Sequence, residues 1–328
     1  MNEHNAYQNS DSSGRVRGIN AGSETIHVSG NANRTPLEKR EPDETIFRRE
    51  LEQSTGYAET KDVTFRMLDE ISRHQNVDQQ ALYLVSVELS NRLEVTSPAT
   101  ILSLINALAP VDEYLQRHCV DVGMLNGLFG RWLKLPKEDV DRLVLTGLLH
   151  DCGKALMPPQ ILNAPRNLTV SEFEVIKMHT VYGFDLLKGF PDVVRLAARG
   201  HHEKVGGAGY PDRLLPEYLS FESRITAVSD IYDAMVSQRA YKKPHSPFSI
   251  MALIAELGGS DLDEELVRVF VGNMPRELID KKVLMSDGMI GVVRSYDPED
   301  IEYPHIEVNG RIQKSSKDWF CTSMYTEN

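Results

Sequence analysis

The chain has 328 residues, enough for one substantial core plus an accessory piece, and 48 acidic against 36 basic side chains give a net charge of −12 with a pI near 5.4. That balance argues against broad contact with DNA or other polyanions. Cys119, Cys152 and Cys321 show no CxxC spacing, and neither an apolar run of about 18 residues nor a signal peptide is evident, so a cytoplasmic protein outside the membrane is expected.

Residues 1–58 are rich in Asn, Ser, Gly, Glu and Arg with few apolar positions. Such a composition buries too little surface to offset the entropy of ordering, so a disordered or loosely ordered tail is expected. A small helical module is expected over 59–97. Phe65, Leu68 and Ile71 mark a short amphipathic helix there, and Leu82, Val85, Leu89 and Leu93 a longer one. The module is short for a sensory domain and carries no such signature. From 98 to 272 the pattern is helical, and a helix from Ile101 to Leu108 leads into one bearing His118. Val140, Leu143, Val144 and Gly147 form an i, i+3, i+4, i+7 stripe that His150 and Asp151 continue. Thr169 to Glu172 reads as a capping box, opening a helix with Phe173, Ile176 and His179 on one face. Gly206 to Pro211, with three glycines in six residues, is a loop; no Gly-Lys-Ser/Thr follows, so it is not a P-loop. Ala227, Asp230 and Ala234 make a further helical stripe around a carboxylate. Over 273–328 the pattern changes to strand, with type I′ hairpins expected at Asp287-Gly288 and Asn309-Gly310. The expected fold is therefore mainly α, a helical bundle with a helical N-terminal module and a small C-terminal β extension.

Chemistry concentrates within the bundle. Five of ten histidines, His118, His150, His179, His201 and His202, fall on apolar, helix-patterned sequence, together with Asp151 and Asp230. Singly, each has a plainer reading as a core histidine or a helix cap. As a set they suit a hard or borderline divalent metal, which also offsets the several kcal/mol that burying the Asp151 carboxylate unpaired costs. Adjacent residues on a helix point about 100° apart, so His201 and His202 reach metal together only at a helix end or across two ions.

The order His118, His150-Asp151, Asp230 resembles the HD superfamily of metal-dependent phosphohydrolases. The longer pattern is similar to its HD-GYP branch: His150-Asp151-Cys152-Gly153-Lys154, His179, His201-His202-Glu203, Gly209-Tyr210-Pro211, Arg224-Ile225, Asp230, Asp233-Ala234 and Arg239-Ala240-Tyr241-Lys242. The similarity runs from Pro98 to Leu257, about half of the chain. It implies an HD-type bundle that hydrolyses cyclic di-GMP to pGpG, GMP or both. Carried over by position, His118, His150, Asp151 and Asp230 would hold one metal and His179, His201 and His202 a second, with Asp151 bridging. Two ions about 3.5–4 Å apart would activate a shared water and neutralise the phosphodiester. Iron or manganese is expected, and nickel or zinc would accept the same ligands.

The resemblance also implies that Lys154, Arg239 and Lys242 contact substrate phosphate. Lys154 would join Asp151 in catalysis; three residues on, it shares a face with Asp151 if the helix continues. Tyr210 is a candidate to stack on a guanine base, and the Gly209-Tyr210-Pro211 loop to meet a protein partner. Two departures stand out. Gly206 replaces the Asp or Asn of most members, removing a polar group from the loop. Tyr114 stands where some members place a glutamate for a third metal, which favours two. Alternatives are a slow or inactive cyclic di-GMP-binding effector, and a phosphohydrolase acting on another cyclic dinucleotide or nucleotide.

Overall fold

The computed structural model describes residues 56–74, 77–106, 114–236 and 246–325. Residues 1–55 of the expected tail lie outside them. Helix α1 (Tyr57–His74) opens the described chain, followed by α2 (Gln79–Val95), whose N-cap Asp78 accepts the Ala81 N–H at 3.0 Å. Residues 57, 60, 64, 67, 68 and 71 form the buried stripe of α1, so Leu68 and Ile71 face inward. Phe65, next to that stripe rather than on it, is 53% exposed and does not share the face expected of it. α3 (Pro98–Ile105) begins on Ser97 as N-cap with Pro98 in the first turn, where its missing N–H costs nothing.

The bundle then runs through α4 (Tyr114–Trp132), α5 (Lys137–Leu149), a 3₁₀ turn at Cys152–Leu156, the one-turn α6 (Pro159–Leu162), α7 (Val170–Leu186) and α8 (Asp192–Gly200). α9 (Phe221–Val236), α10 (Pro247–Leu257) and α11 (Glu264–Glu277) complete it. Buried Asn126 of α4 binds these layers together. Its amide nitrogen donates to the Leu143 carbonyl of α5 at 3.1 Å and to Thr226 Oγ1 of α9 at 3.0 Å, so one side chain ties α4 to two neighbouring helices. Phe270 of α11 stacks on Phe129 of α4 at 5.6 Å and meets Tyr232 of α9 edge-on at 5.3 Å.

A five-stranded antiparallel sheet ends the chain: β1 (Lys282–Met285), β2 (Ile290–Asp297), β3 (Asp300–Val308), β4 (Arg311–Lys314) and β5 (Cys321–Met324), in the order β4-β3-β2-β1-β5. Asn309 and Gly310 both take positive φ, 52° and 75°, between paired Val308 and Arg311, which is the expected type I′ turn. The first hairpin differs. Met285 N–H donates to the Met289 carbonyl and Gly288 N–H to the Met285 carbonyl, both at 2.9 Å, and Gly288 is the loop residue with positive φ. That is a three-residue loop, a type I turn closed by a left-handed glycine, because one extra residue separates the paired positions. One apolar cluster extends from Tyr57 and Leu93 through Leu125 and Phe129 to Phe248, Val283 and Ile306. The N-terminal helices and the sheet therefore share the bundle's core.

Candidate metal centre

α5 ends sooner than its stripe suggests. Leu149 is its last residue, and His150 is the C-cap, still in the helical region, so its ring continues the buried face. Asp151 breaks out (φ −103°, ψ 9°), and the chain tightens into the 3₁₀ turn. With three residues per turn, positions i and i+3 eclipse. Lys154 thus lies over Asp151, its Nζ 2.7 Å from Oδ2; the shared face is real but comes from a tighter helix. The turn presses so closely on α7 that a Cβ on Gly153 would sit 2.0 Å from the His179 carbonyl oxygen. Glycine is what lets Asp151 approach His179.

α7 starts on the complete capping box: Glu172 N–H donates to Thr169 Oγ1 at 3.3 Å, and Thr169 N–H to the Glu172 carboxylate at 2.9 Å. Ile176 and His179 are buried on its inner face, while Phe173 is half-buried. His201 is the C-cap of α8 and His202 follows it, the helix-end solution for adjacent ligands. α9 contributes Asp230 and, one turn on, Asp233.

These side chains converge in two groups, His118, His150 and Asp230, and Asp151, His179, His201 and His202. Four imidazoles are oriented through Nδ1. His150 donates to the Gly147 carbonyl and His179 to the Ile176 carbonyl, each at 2.7 Å. His201 donates to the Ala198 carbonyl at 3.0 Å, and His118 to Asp233 Oδ2 at 2.7 Å. Because carbonyls only accept, Nδ1 carries the proton, and in a neutral ring Nε2 presents its lone pair. Those lone pairs face one another: His118 and His150 Nε2 are 3.1 Å apart, His179 and His201 Nε2 3.4 Å. Opposed lone pairs repel, and a cation between them removes the conflict.

Asp151 joins the groups. Its Oδ2 lies 3.3 Å from His118 Nε2 and 3.4 Å from His150 Nε2; its Oδ1 lies 3.3 Å from His179 Nε2 and 3.6 Å from His201 Nε2. Both oxygens are fully buried without a hydrogen bond of good geometry. Asp230 Oδ1 is 3.0 Å from His118 Nε2, and its Oδ2 3.9 Å from His202 Nδ1. Neutral imidazoles, two carboxylates and one bridging position fit a pair of divalent ions. Burial alone would push the Asp151 carboxyl up, but the Lys154 ammonium beside it leads the opposing interactions and holds it well below the usual range. Burial pushes the Cys119 thiol up to about 12 and Cys152 higher still, so both act as small core side chains.

The loop after α8 borders the second group. Tyr210 stacks on His202, ring centroids 4.7 Å apart and planes 25° apart. Buried Glu203 accepts the main-chain N–H groups of Asp212, Arg213 and Leu214 at 2.6, 2.9 and 3.0 Å, clamping the loop beyond Pro211. Gly206 N–H donates to the Ser260 carbonyl at 2.9 Å, and a Cβ there would lie 2.7 Å from the same oxygen. In this chain the loop is tied instead to the α10–α11 connection, with a Lys204–Asp261 ion pair at 2.7 Å alongside.

Sequence reading gave no role to Glu203 or Asp233, although both stand in the quoted pattern; Asp233 lies three residues after Asp230 on one helical face, a signal that could have found it. Arg239 and Lys242 lie outside the described residues. Tyr114 is the first residue of α4, one turn before His118.

Comparison with known proteins agrees with this geometry. The family model described as HD domain matches residues 102–266. The chain is 35% identical over 214 residues to cyclic di-GMP phosphodiesterase PA4108 of Pseudomonas aeruginosa, covering 64% of this chain and 51% of that protein. It is 33% identical to the cyclic di-GMP phosphodiesterase response regulator RpfG of Xanthomonas campestris, covering 59% and 53%. The chain thus spans about half the length of the curated relatives it matches. Among solved structures, Bd1817, an HDG"Y"P protein from Bdellovibrio bacteriovorus, shares the fold with a TM-score of 0.53 at 13% identity, over 66% of this chain and 69% of that one. On the matched family model and the HD-GYP residues in their order, the chain belongs to the HD domain family, in its HD-GYP branch.

Proposed function

We propose that the chain is a metal-dependent phosphodiesterase that hydrolyses cyclic di-GMP to pGpG, GMP or both. The observation that carries this reading is Asp151, a buried carboxylate turned with one oxygen to each group of imidazoles. His118, His150, Asp151 and Asp230 would hold one ion, and Asp151, His179, His201 and His202 the other, iron or manganese ahead of nickel or zinc. When bound, the ions supply the charge that activates water and neutralises a phosphodiester.

The chain's own residues do the rest. The Nδ1 hydrogen bonds fix four rings in advance, so little freedom is lost when the site fills. Lys154, anchored on Asp151, places an ammonium where negative charge develops on the phosphate or the leaving oxygen. Arg239 and Lys242 are assigned to substrate phosphate as a planar fork and a point charge. The names of both relatives support cyclic di-GMP as substrate. Among the described residues no helix is long and apolar enough to cross a membrane, in keeping with a cytoplasmic location. The Gly209-Tyr210-Pro211 loop is assigned to a protein partner.

The test is turnover of cyclic di-GMP by protein purified without oxygen and reconstituted with iron or manganese, with metal content measured on the same sample. Turnover with about two ions per chain is expected. Full loading with tight binding and no turnover would make the chain an effector that senses the messenger.

A further inference from the structure

Phe173 and Lys177, one turn apart on α7, carry a feature the metal chemistry does not use. Lys177 is half-buried, and its ammonium lies 5.0 Å from the centroid of the Phe173 ring and 5.6 Å from that of Tyr210. Phe173 and Tyr210 meet edge to face at 6.2 Å and 80°, and Tyr210 in turn stacks on His202. Two half-buried aromatic rings and a cation therefore form one wall, a single ring away from the second group of candidate ligands, with Tyr210 covered by His202 and Lys177. A lysine held over two rings keeps three N–H donors, of which Glu174 takes one at 2.6 Å.

Aromatic faces are stacking platforms for any nucleobase, whereas a cationic donor beside them discriminates between bases. Guanine presents O6 and N7, both acceptors; adenine sets a donor amine beside N7. We propose that Lys177 is a specificity-determining residue, donating to the O6/N7 edge of a guanine packed against Phe173 of this wall. The inference rests on the cyclic di-GMP reading and adds to it the reason for guanine.

The experiment compares kcat/KM for cyclic di-GMP and cyclic di-AMP in wild type, Lys177→Met and Lys177→Arg, with metal content and thermal midpoint followed in each. A bidentate contact of this kind discriminates by 1–3 kcal/mol, so the guanine-to-adenine ratio should fall about tenfold in Lys177→Met, chiefly through KM, and recover in part in Lys177→Arg. A purely structural lysine would lower both substrates together and leave the ratio unmoved, which overturns the inference. A wild type that cleaves both dinucleotides equally well also overturns it. If wild type binds without turnover, Kd values by calorimetry replace kcat/KM, with the same ratio deciding. A wild type that cleaves bis(p-nitrophenyl) phosphate but neither cleaves nor binds cyclic di-GMP sinks the substrate reading itself. A wild type active on cyclic di-GMP with an unmoved ratio in Lys177→Met sinks only the role of Lys177.

Discussion

The candidate ligands His118, His150 and Asp230 all sit in the core, whereas the group of His179, His201 and His202 reaches from the core to a doorway at His202. The first three are 2%, 0% and 3% exposed and come from α4, the end of α5 and α9, helices joined by Asn126. In the second group His179 and His201 are as buried, at 0% and 2%, but His202 is half-buried, and its ring is covered by Tyr210 from a segment that Glu203 clamps. Packing fixes the first group on every side, whereas at His202 a clamped loop takes its place. The difference suggests that substitutions around the first group act on metal and fold together, while those around the second act on access and specificity.

Asp151 is common to both sides, so its loss should have the largest effect. Asp151→Ala should empty both positions and bring turnover to background, whereas His118→Ala or His179→Ala should leave about one ion per chain, read by metal analysis. Two retained ions in Asp151→Ala would break the bridge assignment. Asp233→Ala removes the carboxylate that orients His118 and should weaken metal binding about 10–100-fold in a chelator competition, with His179 and His201 unaffected. Glu203→Gln leaves three main-chain donors poorly matched and should cost about 1–3 kcal/mol in urea unfolding, with KM rising more than kcat falls. If its effect falls on metal content instead, the doorway is as much core as its counterpart.

The smallest effect should come from the α7 cap. Thr169→Ala should cost about 1 kcal/mol. Arg166 and the Thr169 amide lower the Glu172 carboxyl from 4.5 to about 2. A depressed carboxyl stabilises the fold above its ordinary range, and that contribution disappears as pH falls through about 2. Thermal midpoints in acid should therefore drop less steeply in Glu172→Gln than in wild type.

The candidate ligands were legible because metal chemistry restricts them to few residue types, and the stripes in α5 and α9 already turned His150 and Asp230 inward. The capping box and the Asn309-Gly310 turn were legible for a similar reason, since each is settled by four neighbouring residues. The Asp287-Gly288 turn was misread because a dipeptide does not reveal which flanking residues pair, and Phe65 because a three-residue stripe leaves its phase open by one position.

What the sequence determined by itself was the helical bundle, the seven candidate ligands and the branch of the family. Only tertiary structure decided how they meet: Gly153 pressed against α7, Asp151 turned with one oxygen to each side, Asp233 behind His118, Glu203 closing the loop, Lys177 over two rings. Periodicity and motifs are properties of neighbouring residues. A shared carboxylate, a second partner for an imidazole, or a wall built from α7 and a loop depends on elements far apart in the chain, whose approach is set by packing.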